Sequence, residues 1–125
     1  MPNNGNYSPY DLERVKKAID YIHSHYAENI SPKDLAKKLI IDEKKLQFLM
    51  QVLTGYTIHD YQINIRIEKA KLDLADFGKQ VKWIARKHGF VTPPHFTKKF
   101  KQWVNLSPRE YRRLLIQAAE PLDNT

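Results

Sequence analysis

The sequence contains no cysteine, which excludes disulfide bonds and thiolate metal sites and fits a reducing compartment. It has no apolar run near the roughly 20 residues that span a bilayer, and its start lacks the apolar region of a signal peptide. Glycine-rich phosphate loops and nucleophile elbows are missing, and His23 and His25 lie too close for a zinc-binding helix. We therefore predict a cytoplasmic, non-enzymatic protein without a metal, cofactor, membrane contact or small-molecule ligand in this segment.

Acidic residues are scarce in the last part of the chain. Residues 1–77 contain 11 Lys and Arg against 11 Asp and Glu, whereas residues 78–125 contain 10 against 3, which accounts for the whole net charge of +7. A basic surface attracts polyanions because phosphate contacts release counterions. The charge distribution therefore favours a nucleic-acid partner for the second part of the chain.

A pattern in residues 35–55 recurs about fifty positions later, in residues 84–105. Apolar residues at positions 46, 50 and 53 have counterparts at 96, 100 and 103, and Gly55 at the end of the first copy corresponds to Asn105. Each copy predicts two short helices joined by a tight turn, which is a common arrangement for entering a DNA major groove. The repeat therefore predicts two helix-turn-helix lobes.

Apolar spacing and capping residues predict an all-α chain of seven helices. Their predicted starts are Asp11, Ser31, Asp42, Thr57, Gln80, Thr92 and Ser107. We predict a linker or tail at 1–10, a first lobe at 11–56, a connecting helix at 57–77, a second lobe at 78–118 and a tail at 119–125. We expect Leu53 on the third helix to be buried. We also expect other elements to cover both apolar stripes of the connecting helix, which include Leu72 and Phe77.

Four segments together resemble the DNA-binding domain of AraC/XylS-type transcription regulators over residues 11–116. These are 66–70 (Arg-Ile-Glu-Lys-Ala), 84–90, 96–101 and 107–112 (Ser-Pro-Arg-Glu-Tyr-Arg). The resemblance implies two homeodomain-like lobes on a linking helix, with the third and sixth helices entering successive major-groove segments about one helical turn (~34 Å) apart. It also implies RNA polymerase, or a fused N-terminal effector or dimerisation domain, as a partner beside double-stranded DNA.

The outward faces of the third and sixth helices supply the predicted base contacts. On the sixth helix these are His95, Lys98, Lys99 and Gln102, and on the third they are Lys44, Lys45, Gln47, Phe48 and Gln51. The resemblance implies a base-contacting Arg at the position of Lys98, and family members often carry Arg where this chain has Phe48. Three interpretations of Phe48 stay open: a core residue, a contact to a thymine methyl group, or a contact to another protein domain.

Phosphate contacts are predicted at helix N-termini, where free N–H groups and the helix dipole favour anions, and at nearby cations. The candidates are Ser31, Lys33, Thr57, Lys82, Thr92, Ser107, Arg109 and Arg112. Arg66, in the middle of the connecting helix, is expected to be a structural residue instead.

We therefore predict a sequence-specific DNA-binding regulator of transcription. The alternative is a helical adaptor that binds protein and has lost specific DNA binding. RNA binding is disfavoured because the sequence lacks exposed aromatic stacking pairs.

Overall fold

The computed structural model describes residues 7–120, which form seven α-helices and no β-strand. The helices are α1 (Pro9–His25), α2 (Pro32–Lys38), α3 (Glu43–Thr54), α4 (Ile58–Leu74), α5 (Val81–Lys87), α6 (Pro93–Val104) and α7 (Pro108–Ala119). The predicted all-α class and the seven helices are confirmed. None of these helices combines the length and the hydropathy that crossing a bilayer requires.

The chain divides into two compact units, one ending at Ile63 and one beginning at Asn64, so the boundary lies within α4. The first unit contains α1, α2, α3 and the first part of α4. The second contains the remainder of α4 with α5, α6 and α7. The predicted division into two lobes with a separate connecting helix at 57–77 stays a prediction.

The core of the first unit forms where α3 packs against α1 and α2. Ile22 of α1 and Leu46, Leu49 and Met50 of α3 are fully buried. The predicted burial of Leu53 is wrong, because this side chain is 51% exposed. It lies in the last turn of α3, where the described neighbours no longer cover that face.

The core of the second unit is a row of aromatic rings. Phe90, Phe96 and Phe100 are at most 1% exposed, with ring centroids 5.0 and 5.6 Å apart along the row, which continues to Tyr111 at 5.5 Å. Burying one such side chain stabilises a fold by roughly 1.5–3 kcal/mol. The row therefore fixes α6 between the turn that precedes it and α7.

Two residues expected on covered stripes of α4 are exposed, Leu72 by 71% and Phe77 by 47%. Leu72 lies on a side of the helix that the described residues leave open. Phe77 follows the end of α4 at Leu74, so the helical spacing used to place it does not apply there.

The first helix begins earlier than predicted. Ser8 is its N-cap: the Ser8 hydroxyl accepts the Asp11 N–H at 3.0 Å, and the Asp11 carboxylate accepts the Ser8 N–H at 3.3 Å. Asp11 is therefore the third residue of a capping box and not the cap itself. Residues 7–10 do not belong to a loose tail as predicted, whereas positions 1–6 and 121–125 lie outside the described residues.

The turns of the two helix-turn-helix units use the same backbone hydrogen bonds. Ile41 N–H donates to the Ala36 carbonyl and Phe90 N–H to the Ala85 carbonyl, both at 3.0 Å. The second turn then contains one additional residue, Val91, which is 83% exposed. This insertion explains why the repeat is offset by 49 positions before the turns and by 50 after them.

The turn of the first unit contains a strained residue. Ile40 has φ +57°, which lies in the left-handed region. The equivalent position of the second turn is Gly89, with φ +92°. A side chain with a Cβ is disfavoured there by about 1–2 kcal/mol, and branching at Cβ makes the position more restrictive. Ile40 is also 73% exposed, so little burial offsets this strain.

We expect Ile40→Gly to raise the free energy of unfolding by about 0.5–1 kcal/mol, because relief of strain exceeds the roughly 0.5–1 kcal/mol entropic penalty of glycine. Thermal unfolding followed by circular dichroism measures the change. Gly89→Ala in the matching turn is the control and should lower stability, since it places a Cβ at positive φ. An unchanged or lower melting temperature for Ile40→Gly contradicts the assignment of strain.

Candidate nucleic-acid interface

The outward face of α6 is polar and basic. Since residues advance by 100° along a helix, Lys98 lies opposite the buried Phe96 and Phe100, and His95 and Gln102 lie about one turn before and one turn after it. All three polar side chains are exposed. Within residues 7–120, the Lys98 side chain has neither a hydrogen-bond partner nor an ion-pair partner. The structure therefore places these three predicted base-contact residues together on one accessible face, with half-buried Lys99 at its edge.

The first turn of α6 offers no backbone donor of the usual kind to an anion. Pro93 and Pro94 occupy its first two positions and carry no N–H. The third N–H, from His95, donates to the Thr92 hydroxyl at 3.2 Å. A phosphate near this helix must therefore be held by side chains, and Thr92 already uses its hydroxyl oxygen as a cap.

Three of the five base-contact residues predicted on α3 are engaged within the protein. The Lys45 ammonium lies 3.0 Å from the Asp11 carboxylate, and the Gln47 side-chain oxygen accepts the Ile58 N–H at 3.0 Å. Gln47 therefore caps the start of α4 from a neighbouring helix. Of the base-contact residues predicted on α3, only Lys44 and Gln51 are exposed with side chains that make no hydrogen bond or ion pair within residues 7–120.

Phe48, the third engaged residue of α3, is half-buried, and its contact is with the segment that precedes α1. Its ring centroid lies 6.4 Å from that of Tyr7, with the ring planes tilted by 52°. The interpretation of Phe48 as a core residue is wrong, because the buried residues of α3 lie on the other side of the helix. Sequence reasoning missed Tyr7, for which neither spacing nor motif gave a signal.

A basic groove of about 540 Å³ lies between the start of α5 and α7. Its polar lining includes four cations and no carboxylate; the residues are Gln80, Val81, Lys82, Arg109, Arg112, Arg113 and Ile116. The groove brings together the predicted phosphate contacts Lys82, Arg109 and Arg112, and it adds Arg113. The adjacent arginines at 112 and 113 were the only sequence signal for that fourth member.

Arg112 has a structural role in the same groove. Its Nε donates to the Leu74 carbonyl at 3.0 Å and a terminal nitrogen donates to the Asp76 carbonyl at 3.2 Å. The first bond satisfies the carbonyl of the last residue of α4, which has no partner within the helix. The second reaches the Asp76 carbonyl in the turn that follows, which also accepts the Lys79 N–H. Both bonds fix the guanidinium, so Arg112 is held in place on the wall of the groove.

The other predicted phosphate-contact hydroxyls are also helix caps. Ser31 accepts the Asp34 N–H at 3.2 Å, and Thr57 accepts the Asp60 N–H at 3.1 Å. Ser107 forms a full capping box with Glu110, and the backbone hydrogen bond from Ser107 holds the pKa of Glu110 below its usual value. Lys33 is exposed on α2. Phosphate contact by any of these residues stays a prediction.

The turn before α6 is tied to α4 by buried polar side chains. Arg66, 8% exposed, donates to the Gly89 carbonyl at 3.0 Å, and burial lowers the pKa of its guanidinium. His88, 2% exposed, lies with Nε2 2.6 Å from the Asp73 carboxylate. Both side chains therefore position the turn, and Arg66 is the structural residue that was expected.

The Asp73 carboxylate accepts hydrogen bonds from three basic side chains. Burial opposes its ionisation, but hydrogen bonds from Lys79 at 2.7 Å, from His88 and from Lys87 at 3.1 Å hold the pKa of Asp73 well below its usual range. Burial lowers the pKa of His88, and Asp73 only partly offsets that effect. An ionised carboxylate can only accept, so the His88 ring donates its Nε2–H to Asp73.

Two helix-turn-helix units, each with an outward second helix, define this chain as a helix-turn-helix protein of the kind that places such helices in DNA grooves. A family model described as a helix-turn-helix domain matches residues 35–114. The chain belongs to this AraC-type helix-turn-helix family. The family consists of transcription regulators and not of enzymes.

Relatives and solved structures agree with this assignment. The chain is 33% identical over 113 residues to YisR of Bacillus subtilis, an uncharacterized HTH-type transcriptional regulator, covering 90% of this chain and 39% of YisR. An AraC-type regulator structure from Chromobacterium violaceum covers 92% of the chain and 100% of its own length at a TM-score of 0.76 and 23% identity. The DNA-binding domain of AdpA, solved with a target DNA, covers 90% of the chain and 97% of its own length, with a TM-score of 0.71 and 22% identity.

We expect Gln47→Ala to lower the free energy of unfolding by about 1 kcal/mol, because the Ile58 N–H loses its acceptor. Gln47→Glu is the matched control, since a carboxylate keeps an acceptor at the positive end of α4 and should preserve stability. Thermal unfolding of both variants tests the cap. Equal stability of Gln47→Ala and the wild type would show that the hydrogen bond contributes nothing.

Proposed function

We propose that this chain binds double-stranded DNA in a sequence-dependent manner and regulates transcription by occupying a promoter site. The observation that carries the proposal is the accessible face of α6, with Lys98 at its centre and His95 and Gln102 beside it. Lysine donates to guanine O6 and N7 in the major groove, and glutamine forms paired hydrogen bonds with adenine. Family membership and the DNA-bound AdpA domain, which shares this fold, support the proposal.

We assign the basic groove to phosphate binding. Lys82, Arg109, Arg112 and Arg113 converge there without a carboxylate in the lining. Arginine forms paired hydrogen bonds to phosphate oxygens, and phosphate contacts fix orientation without reading sequence. In this proposal the groove supplies affinity and the face of α6 supplies selectivity.

The first unit contributes fewer direct readers. Lys44 and Gln51 are its accessible candidates on α3, and Phe48, half-buried beside Tyr7, offers only part of its ring to a thymine methyl. We therefore propose that the first unit contributes less to sequence selectivity than the second. Neither the family nor the relatives support the alternative function as a protein-binding adaptor.

Regulation through RNA polymerase, or through a fused effector or dimerisation domain, is part of the same proposal. The chain spans 39% of the length of YisR, so that relative has length for a further domain. A cytoplasmic location stays a prediction.

Selection of duplexes from a random-sequence library, followed by affinity measurements over a range of salt concentrations, tests the function. If about five phosphates are neutralised, the log–log slope of affinity against salt should be near −4.5. Failure to enrich any duplex, or an affinity that ignores salt, overturns DNA binding.

Lys98→Ala should weaken binding to the selected duplex by about 1–3 kcal/mol and relax selectivity at one base pair. Lys16→Ala, at an exposed position of α1, is the matched charge control and should leave selectivity unchanged. Repeating the selection with each variant measures both effects. An equal loss of affinity on every sequence identifies Lys98 as a phosphate contact instead.

Arg109→Ala and Arg113→Ala should each weaken binding to selected and shuffled duplexes alike and reduce the magnitude of the salt slope by about 0.9. Arg86→Ala, an exposed change on α5 outside the groove lining, is the control. Fluorescence anisotropy at several salt concentrations gives the slopes. A selective loss on the enriched duplex alone contradicts phosphate binding in the groove.

A further inference from the structure

The start of α1 holds a carboxylate against the first recognition helix. Asp11 is only 6% exposed, which is unusual for an acidic side chain unless it is paired. Its carboxylate accepts the Ser8 N–H at 3.3 Å and lies 3.0 Å from the Lys45 ammonium. Asp11 therefore joins two elements: it completes the cap of α1, and it pairs with a cation of α3.

The cap alone does not account for the pairing with Lys45. Capping boxes form within one helix start, as Ser107 and Glu110 show at α7, and they need no cation from another helix. The ion pair has a second consequence, because it neutralises Lys45 and directs its ammonium toward α1. The corresponding position of α6, fifty residues later, is His95, which is exposed and has no acidic partner among residues 7–120.

A free lysine at this position of α3 would have a general effect on binding. Lys45 is one residue from the exposed Lys44 and keeps 37% of its side-chain surface exposed. A lysine beside a DNA-facing helix attracts phosphates of any sequence, which raises specific and non-specific affinity together. Holding Lys45 on a carboxylate removes that sequence-independent contribution.

We propose that Asp11 is a specificity-setting positioning residue of the first unit, which withholds Lys45 from DNA phosphates and so limits sequence-independent binding. This inference rests on the proposed DNA-binding function. It assigns a role to a residue outside both recognition helices and predicts that removing a carboxylate lowers discrimination between DNA sequences.

The test uses Asp11→Asn in the full 125-residue chain. The probes are a 30-base-pair duplex enriched with the wild-type chain from a random library and a shuffled duplex of the same composition. The variant should bind the shuffled duplex more tightly, with a salt slope steeper by about 0.9. That increment corresponds to an additional loss of about 3.5-fold in affinity between 50 and 200 mM salt, and the ratio of specific to non-specific affinity should fall.

Four further variants test whether Asp11 acts by holding Lys45 away from phosphates or by a structural role alone. Lys45→Gln should keep the wild-type slope, and Asp11→Asn should have no effect on the slope when combined with it. Asp11→Glu, which keeps the charge, should restore the wild-type slope. Ser8→Ala breaks the cap without removing the ion pair, and it should lower the melting temperature but leave the slope unchanged.

A wild-type slope for Asp11→Asn overturns the inference, and so does a change that persists in the Lys45→Gln background. If Asp11→Asn does not fold by circular dichroism, Asp11→Ser is measured against the same two outcomes. If the wild-type chain enriches no duplex, the proposed function fails and this inference fails with it, whereas enrichment with an unchanged slope overturns the inference alone.

Discussion

Both helix-turn-helix units depend on polar side chains of α4 that reach the carbonyls of neighbouring loops. In the first unit, Gln62, 4% exposed, donates to the Tyr26 carbonyl at 2.9 Å and to the Glu28 carbonyl at 2.6 Å. In the second, Arg66 donates to the Gly89 carbonyl. Buried carbonyls without partners are costly, and loops cannot satisfy them with regular secondary structure. Gln62 and Arg66 of α4 therefore each stabilise a loop of their own unit.

The two units share a backbone pattern but differ in what their recognition helices leave accessible. On α6 the central side chain, Lys98, has no partner among the described residues, whereas its counterpart on α3, Phe48, packs on Tyr7. The charge follows the same division, since residues 78–125 hold the whole net positive charge. Affinity for DNA scales with the number of phosphates neutralised, so the proposed function places most of the binding free energy in the second unit.

Local rules predicted the helices well, because capping and periodicity depend on residues within one or two turns. The left-handed ends at Gly55 and Asn105, with φ of +82° and +67°, follow from local chemistry, because Gly and Asn tolerate this conformation best. The start of α1 was misassigned although Ser8 and Asp11 have capping-box spacing, because the acid was taken for the cap. The predictions for Leu53 and Leu72 failed since periodicity gives the direction of a side chain but not whether a neighbour covers it.

The candidate site was predicted less completely for a related reason. The sequence identified side chains on the outward faces of the helices. Whether such a side chain is free to contact DNA depends on its contacts with residues far away in the chain. Asp11 and Lys45 are 34 positions apart, and Tyr7 and Phe48 are 41 apart, with no spacing rule that joins them. Such pairings form only when the tertiary structure brings the elements together. The sequence could therefore identify candidate base-contact residues, but it could not show which of them already contact other side chains of the protein.

The internal contacts of these residues also limit the general attraction of the recognition helices to phosphate. Specificity is a difference of affinities, so a recognition helix gains discrimination when its general attraction to phosphate is kept small. The first turn of α6 has two prolines and a capped third N–H, which removes the usual backbone donors for an anion. The Lys45 ammonium on α3 is paired with a carboxylate. In the proposed function, non-specific contacts are therefore reduced next to the base-contacting side chains of both helices. Phosphate is then bound by Lys82, Arg109 and Arg113 of the basic groove, whose side chains have no ion-pair partner among residues 7–120.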